Sequence, residues 1–293
     1  MTRIIDTLAE IGGQYTVLYC DLWGCLHNGI TLYPAAVAAL QDFRARGGAV
    51  ALMTNAPRTH GTVKRRLDKM GLPRDTWDVI VASGDATQEA MLLGAAGRKL
   101  WHIGLDSDED IFADIPDALA DQPPIERVAY NRAEGIICTG PFDPENWSPE
   151  DYRGKFLSAK TRGLTMLNAN PDIVVDYGDK RIHCAGAVAQ LYAEMGGQVL
   201  SFGKPHPPIY DLARRRLGEI GITVSNDQAL AVGDGIQTDI AGAQAEGIDA
   251  IFVTGGLEAA RFGPDAERPD HDALTSWLDA QQLYPAYAMS RLR

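Results

Sequence analysis

Short apolar runs that stop abruptly at a polar residue constrain this chain's fold more than any other feature. YTVLYC at 15–20 ends at Asp21, AVALM at 49–53 ends at Thr54 and Asn55, and ALAV at 229–232 ends at Gly233 and Asp234. Runs of that length and composition read as strands of a parallel sheet. Between the first two, PAAVAALQDFRARGG sets Val37, Leu40 and Phe43 at helical spacing, with Pro34 at the start and Gly47 at the stop. A further helix is expected from Pro57 to about Met70, then a strand, VIVA, at 79–82 before Ser83. The same order resumes late in the chain, with IYDLARRRLGEIG as a helix and AIFVTGG as a strand. This is a doubly wound α/β core. Ligands in such sheets sit beyond the carboxyl ends of the strands, where Asp21, Thr54 and Asp234 fall.

The core is interrupted. Residues 84–200 carry their own strands (KLWHIG, EGIICTG, LTMLNAN) and helices (DATQEAMLLGAAG, HCAGAVAQLYAEMGG). They read as a second α/β domain inserted into a core built from 1–83 and 201–293, and 293 residues suffice for two such cores. Two chain crossings then join the domains, a geometry that allows hinge motion over the site. The 27 Lys plus Arg against 39 Asp plus Glu give a net charge of -12, which repels polyanions and argues against a nucleic-acid partner. No apolar run approaches the roughly 20 residues of a membrane span. Cys20, Cys25, Cys138 and Cys184 form no CxxC pair, and the N-terminus MTRIIDTLAEIGG has an acidic amphipathic pattern, so a reduced cytoplasmic protein is expected.

Four segments carry the chemistry: DLWGCLHNG at 21–29, LMTNAPR at 52–58, FGKP at 202–205 and VGDGIQTDI at 232–240. Together, in this order, they resemble the haloacid dehalogenase (HAD) superfamily. Asp21 and Thr54 are 33 residues apart, whereas Thr54 and Lys204 are 150 apart, so a cap belongs in the second gap. With NPD at 170–172 and a Gly-Ala turn at Gly186 and Ala187, the chain is similar to subfamily IIA, the nitrophenylphosphatase-like and NagD-like proteins. The resemblance implies a Rossmann-like core with a C2-type α/β cap and hydrolysis of a small phosphorylated metabolite. In that scheme Asp21 is the nucleophile that becomes an aspartyl-phosphate, and Thr54, Asn55 and Lys204 hold the phosphoryl oxygens. Asp21, Asp234, Asp239 and the backbone carbonyl of Trp23 would hold Mg²⁺, whose preference for hard oxygen ligands they suit. A homodimer through the cap is compatible with the subfamily.

The pattern breaks at Trp23. Phosphatases of the family carry Asp-x-Asp in the first motif, and the second Asp protonates the leaving group and then deprotonates water. An indole only donates a hydrogen bond. Three readings follow: a slow or specialised phosphatase, a catalytically silent module that binds a phosphorylated ligand, and a dehalogenase. The dehalogenase reading is disfavoured because those enzymes place a helical cap between the first two motifs and do not need the pair Asp234 and Asp239. His27 is the nearest titratable replacement for the missing acid, though such histidines are more often structural. His206 reads as a loop residue, and Cys20 and Cys25 as small buried residues.

Overall fold

The structure, a computed structural model, describes residues 2–178 and 180–293. Its strands, in chain order, are β1 (Arg3–Ile4), β2 (Val17–Cys20), β3 (Ala49–Thr54), β4 (Val79–Ala82), β5 (Lys99–Ile103), β6 (Glu126–Arg127) and β7 (Gly135–Cys138). They continue with β8 (Thr165–Asn168), β9 (Val174–Tyr177), β10 (Lys180–His183), β11 (Gln198–Ser201), β12 (Ala229–Gly233), β13 (Asp249–Val253) and β14 (Tyr287–Met289). Seven of them form one parallel sheet in the order β1-β14-β13-β12-β2-β3-β4. The order reverses at β2, whose neighbours are β12 and β3, so Asp21 leaves the sheet at the switch point.

Alternate residues of each strand face opposite sides, and each side has its own helices. Leu18, Cys20, Val50 and Leu52 pack beneath Leu40 and Phe43 of the helix Pro34–Ala45 and Val63 and Leu67 of the helix His60–Lys69. Val17, Tyr19, Ala51 and Met53 pack against Ile209, Ala213 and Leu217 of the helix Pro207–Glu219 and Leu274 and Leu278 of the helix His271–Gln281. The expected doubly wound core is therefore present. The helix expected from Pro57 starts instead at His60, because Thr59 is extended (φ -68°, ψ 152°) and gives its N–H to Asp110 Oδ2 at 2.9 Å.

The inserted segment forms a second parallel sheet of five strands, β11-β8-β7-β5-β6, and an antiparallel hairpin of β9 and β10. Helices Glu150–Thr161 and Ala185–Glu194 cover one face through Tyr152, Phe156, Val188 and Tyr192. Met91 and Leu92 of the helix Ser83–Leu92 reach the other. The two chain crossings between the units lie side by side. A Cβ on Gly203 would fall on Asn55, on Ser83 Oγ and on Pro171, and one on Gly84 would fall on the Arg58 backbone. Among the described residues no helix is long and apolar enough to cross a membrane.

Gly186 and Ala187 do not form a turn; they lie in the first turn of the helix Ala185–Glu194. Gly186 is required there for a different reason, since its N–H bonds the Asp172 carbonyl at 3.1 Å and a Cβ would strike the Pro171 and Asp172 carbonyl oxygens. Gly186→Ala should lower stability by about 1–3 kcal/mol through this overpacking. Gly218→Ala, in a helix with open space at its Cβ, should be neutral or stabilising by up to about 1 kcal/mol. Chemical denaturation of both variants decides the matter, and equal effects would refute the packing account.

Candidate active site

Four backbone segments end within one cluster at the carboxyl edge of the first sheet. Asp21 follows β2, and its N–H bonds the Val232 carbonyl of β12 at 2.8 Å. Thr54 closes β3, Asp234 follows β12, and Asp239 lies in the π-helical turn Ile236–Ile240. Lys204 arrives from the connection between β11 and the helix Pro207–Glu219. It is only 3% exposed, and its Nζ donates to Asp21 Oδ1 and Asp239 Oδ1, both at 2.6 Å, and to the Met53 carbonyl at 3.3 Å. Burial opposes the ammonium charge, but Asp21, Asp239 and Asp172 together hold its pKa well above the ordinary lysine range.

Each sequence-predicted residue has a defined place. Thr54 Oγ1 accepts the Ala56 N–H at 3.1 Å, which leaves its own proton to donate. The amide of Asn55 braces the backbone of Lys204, accepting from its N at 2.8 Å and donating to its carbonyl at 3.1 Å. The same Nδ2 donates to Asp172 Oδ1 of the inserted unit at 2.8 Å. Asp239 Oδ2 accepts the Gly235 N–H at 3.1 Å, and Asp234 Oδ2 accepts the Leu257 N–H at 2.8 Å. Among the described residues no hydrogen bond reaches the Trp23 carbonyl. Gly24, at φ +73°, lets the first-motif loop lie against Asp234, where any Cβ would collide with that carboxylate.

Burial pushes the Asp21 carboxyl up, with Lys204 opposing and Asp239 adding to the rise. Asp234 is pushed well up by burial and then by Asp21 and Asp239. Asp21, Asp234, Asp239 and Asp172 thus crowd a buried space that holds one lysine, an excess of negative charge that favours a bound cation. The free oxygens suit one: a carboxylate oxygen of Asp21, one of Asp234 and the Cys25 sulfur lie within 4.8 Å of one another. Burial and then Asp234 and Asp21 hold the Cys25 thiol well above its ordinary pKa, and the carboxylate oxygens form the hard donor set.

Trp23 is half-buried and carries no acid–base function. Its ring meets His27 edge-on at 5.2 Å and lies 5.9 Å from Tyr177 of β9, and the Arg66 guanidinium sits over both rings, at 5.2 and 5.8 Å. His27 is 2% exposed, its Nδ1 accepts the Gly29 N–H at 3.0 Å, and burial with Arg66 pushes it down to about 4. His206 stands at the position before the helix Pro207–Glu219 and makes no side-chain capping bond there. Arg66, Tyr177 and Asp172 had no assigned role in the sequence reading; only Asp172, within NPD, stood in a motif. The site opens into a cavity of about 590 Å³ whose walls come from both units.

The family model described as haloacid dehalogenase-like hydrolase matches residues 18–115, and a second, HAD-hydrolase-like, matches 201–280. No curated protein sequence matches the chain. A hydrolase of the haloacid dehalogenase-like family from Brucella suis 1330 is 35% identical over 99% of this chain and 100% of that one, with a TM-score of 0.84. Two more distant structures share the fold. A possible sugar phosphatase from Cytophaga hutchinsonii is 19% identical over 100% of each chain, at a TM-score of 0.76. A p-nitrophenyl phosphatase from Archaeoglobus fulgidus is 22% identical over 95% of this chain and 97% of that one, at 0.69. With its site at the switch point and its second sheet inserted between the second and third motifs, the chain belongs to the haloacid dehalogenase-like hydrolase family, in the arrangement of subfamily IIA.

Proposed function

We propose that the chain is a Mg²⁺-dependent hydrolase of a small phosphorylated metabolite, working through an aspartyl-phosphate on Asp21. The observation that carries this reading is the buried Lys204 ammonium bound at 2.6 Å to both Asp21 and Asp239. A lysine so placed pre-organises positive charge where a phosphoryl group must sit. Asp21 supplies the in-line oxygen that attacks phosphorus, and the Thr54 hydroxyl and Lys204 ammonium donate to the phosphoryl oxygens. Asn55 serves by holding Lys204 in register. Asp21, Asp234 and the Trp23 carbonyl would hold the cation directly, with Asp239 beside them. When bound, Mg²⁺ neutralises charge on the phosphoryl oxygens.

The inserted unit is read as a cap. Its residues Asp172, Val174, Tyr177 and Ile182 line the cavity and set which substrate fits. A reduced cytoplasmic setting agrees with four buried free cysteines. Trp23 moves no proton, so in this reading the acid and base are supplied by the substrate or by another side chain of the cavity. A positioned acid or base is typically worth about 10²- to 10⁴-fold in rate, and its complete loss would favour the silent binding module.

Four measurements test the reading. Stripping divalent ions with a chelator should abolish turnover of p-nitrophenyl phosphate, and added Mg²⁺ should restore it; metal-independent turnover would refute the cation assignment. Asp21→Asn should lower turnover by at least about 10³-fold, as expected when the nucleophile itself is lost. The variant should still bind inorganic phosphate, measured by calorimetry. A native rate in that variant would remove Asp21 from the mechanism. Binding without any turnover by the native chain, across a broad panel of phosphate esters, would establish the silent module instead.

A further inference from the structure

The proton that Trp23 cannot move comes from the substrate or from another side chain, and the side chains that could give it are those facing the same cavity. Its lining carboxylates are Asp21, Asp108, Asp172, Asp176, Asp234 and Asp239. Most are committed. Asp21 and Asp239 bind Lys204, and Asp234 belongs to the cation site. Asp108 is paired to Arg58 at 2.5 Å and accepts the Thr139 hydroxyl at 2.5 Å, while Asp176 is paired to Arg181 at 2.7 Å.

Asp172 is different. It forms no ion pair among the described residues, its Oδ1 accepts one hydrogen bond from Asn55, and its Oδ2 receives none among them. Its backbone is fixed on both sides, the N–H by Asn170 Oδ1 at 3.0 Å and the carbonyl by Gly186 N–H at 3.1 Å. Through Asn55 it is one residue removed from Lys204, whose ammonium touches Asp21, and its charge is felt at both. Burial pushes its carboxyl up to about 6, with Lys204 and Asn55 opposing, a range suited to exchanging a proton near neutrality.

The two histidines nearby are less suited. The ring of His27 is tied to the Gly29 N–H behind Trp23. His183 lines the cavity with its buried Nδ1 free of a hydrogen bond, but among the described residues no hydrogen bond joins its ring to the Asp21–Lys204 cluster, to which Asp172 is linked through Asn55.

We propose that Asp172, a carboxyl borne by the inserted unit, is the general acid and base of this reaction and performs the proton transfers for which Trp23 has no group. The proposal rests on the phosphatase reading above. In the first step an Asp21 oxygen bonds to phosphorus, the bond from phosphorus to the leaving oxygen breaks, and the Asp172 carboxyl gives that oxygen its proton, releasing an alcohol. In the second step the Asp172 carboxylate takes a proton from water as the water oxygen bonds to phosphorus. The bond from phosphorus to Asp21 breaks, inorganic phosphate leaves, and both residues return to their starting states.

The test compares kcat/KM for p-nitrophenyl phosphate, whose leaving group needs little protonation, with that for glycerol phosphate, whose leaving group needs a proton. Native chain, Asp172→Asn and the double variant Asp172→Asn/Trp23→Asp are assayed with Mg²⁺. Asparagine keeps an oxygen for the Asn55 amide, and a fall in the folded fraction lowers both rates alike, so the ratio reports chemistry. Asp172→Asn should lose at least about 10²-fold more on the alkyl than on the aryl ester, and the double variant should recover alkyl turnover. Equal losses on both esters would overturn the role of Asp172 and leave the phosphatase reading standing. No turnover by the native chain of these two esters or of any other in a broad panel of phosphate esters would overturn both.

Discussion

The structure turns on one buried ammonium. Lys204 is almost wholly buried, and a buried lysine persists only when it is paired and hydrogen-bonded. Its partners come from three separate places: Asp21 after β2, Asp239 in the turn after β12, and the Met53 carbonyl near the end of β3. Those strands are adjacent in the sheet, so the observed order brings the three partners to one point. Removing the charge would strand two buried carboxylates. The same arithmetic leaves the cluster negative, which is why a cation belongs beside it.

Around this cluster the first-motif loop is held by contacts that cross between the units. Arg66, from the helix His60–Lys69, stacks on Trp23 of the core and Tyr177 of the hairpin, and its Nη2 donates to the Gly29 carbonyl at 3.0 Å. Arg58 reaches Asp108 and Asp110 of the inserted unit, at 2.5 and 3.3 Å. The indole therefore has a structural use that an aspartate could not fill: it offers a flat surface on which a cation and a second aromatic ring settle.

Much of this was legible beforehand. Asp21, Thr54 and Asp234 each end an apolar run, and a parallel sheet puts such ends together. Lys204 and Asp239 end no run of that kind, and only the resemblance singled them out. The β9–β10 hairpin escaped because VVDY and KRIH are half-exposed and show neither a continuous apolar run nor clean alternation. The helix Glu150–Thr161 escaped because its charged surface and Gly154 dilute the apolar spacing of Tyr152, Phe156 and Ala159. Gly186 was misread since glycine marks turns and close packing alike, and only the neighbouring Asp172 carbonyl tells the two apart. The contacts of Asp172 and Arg66 depend on how one unit lies on the other, information that no local pattern contains.

The two connections between the units touch one another, with Gly203 pressed against Asn55, Ser83 and Pro171. A lid hung on two distant threads could tilt in any direction; one hung on two adjacent threads behaves like a door on a single pin. Asn55 and Pro171 sit where the two connections meet, so Asp172, bonded to Asn55, lies close to that point and Tyr177 lies farther out on the hairpin. Any rotation about that point would displace Tyr177, which lies against Trp23, farther than the Asp172 carboxyl that Asn55 ties to the backbone of Lys204.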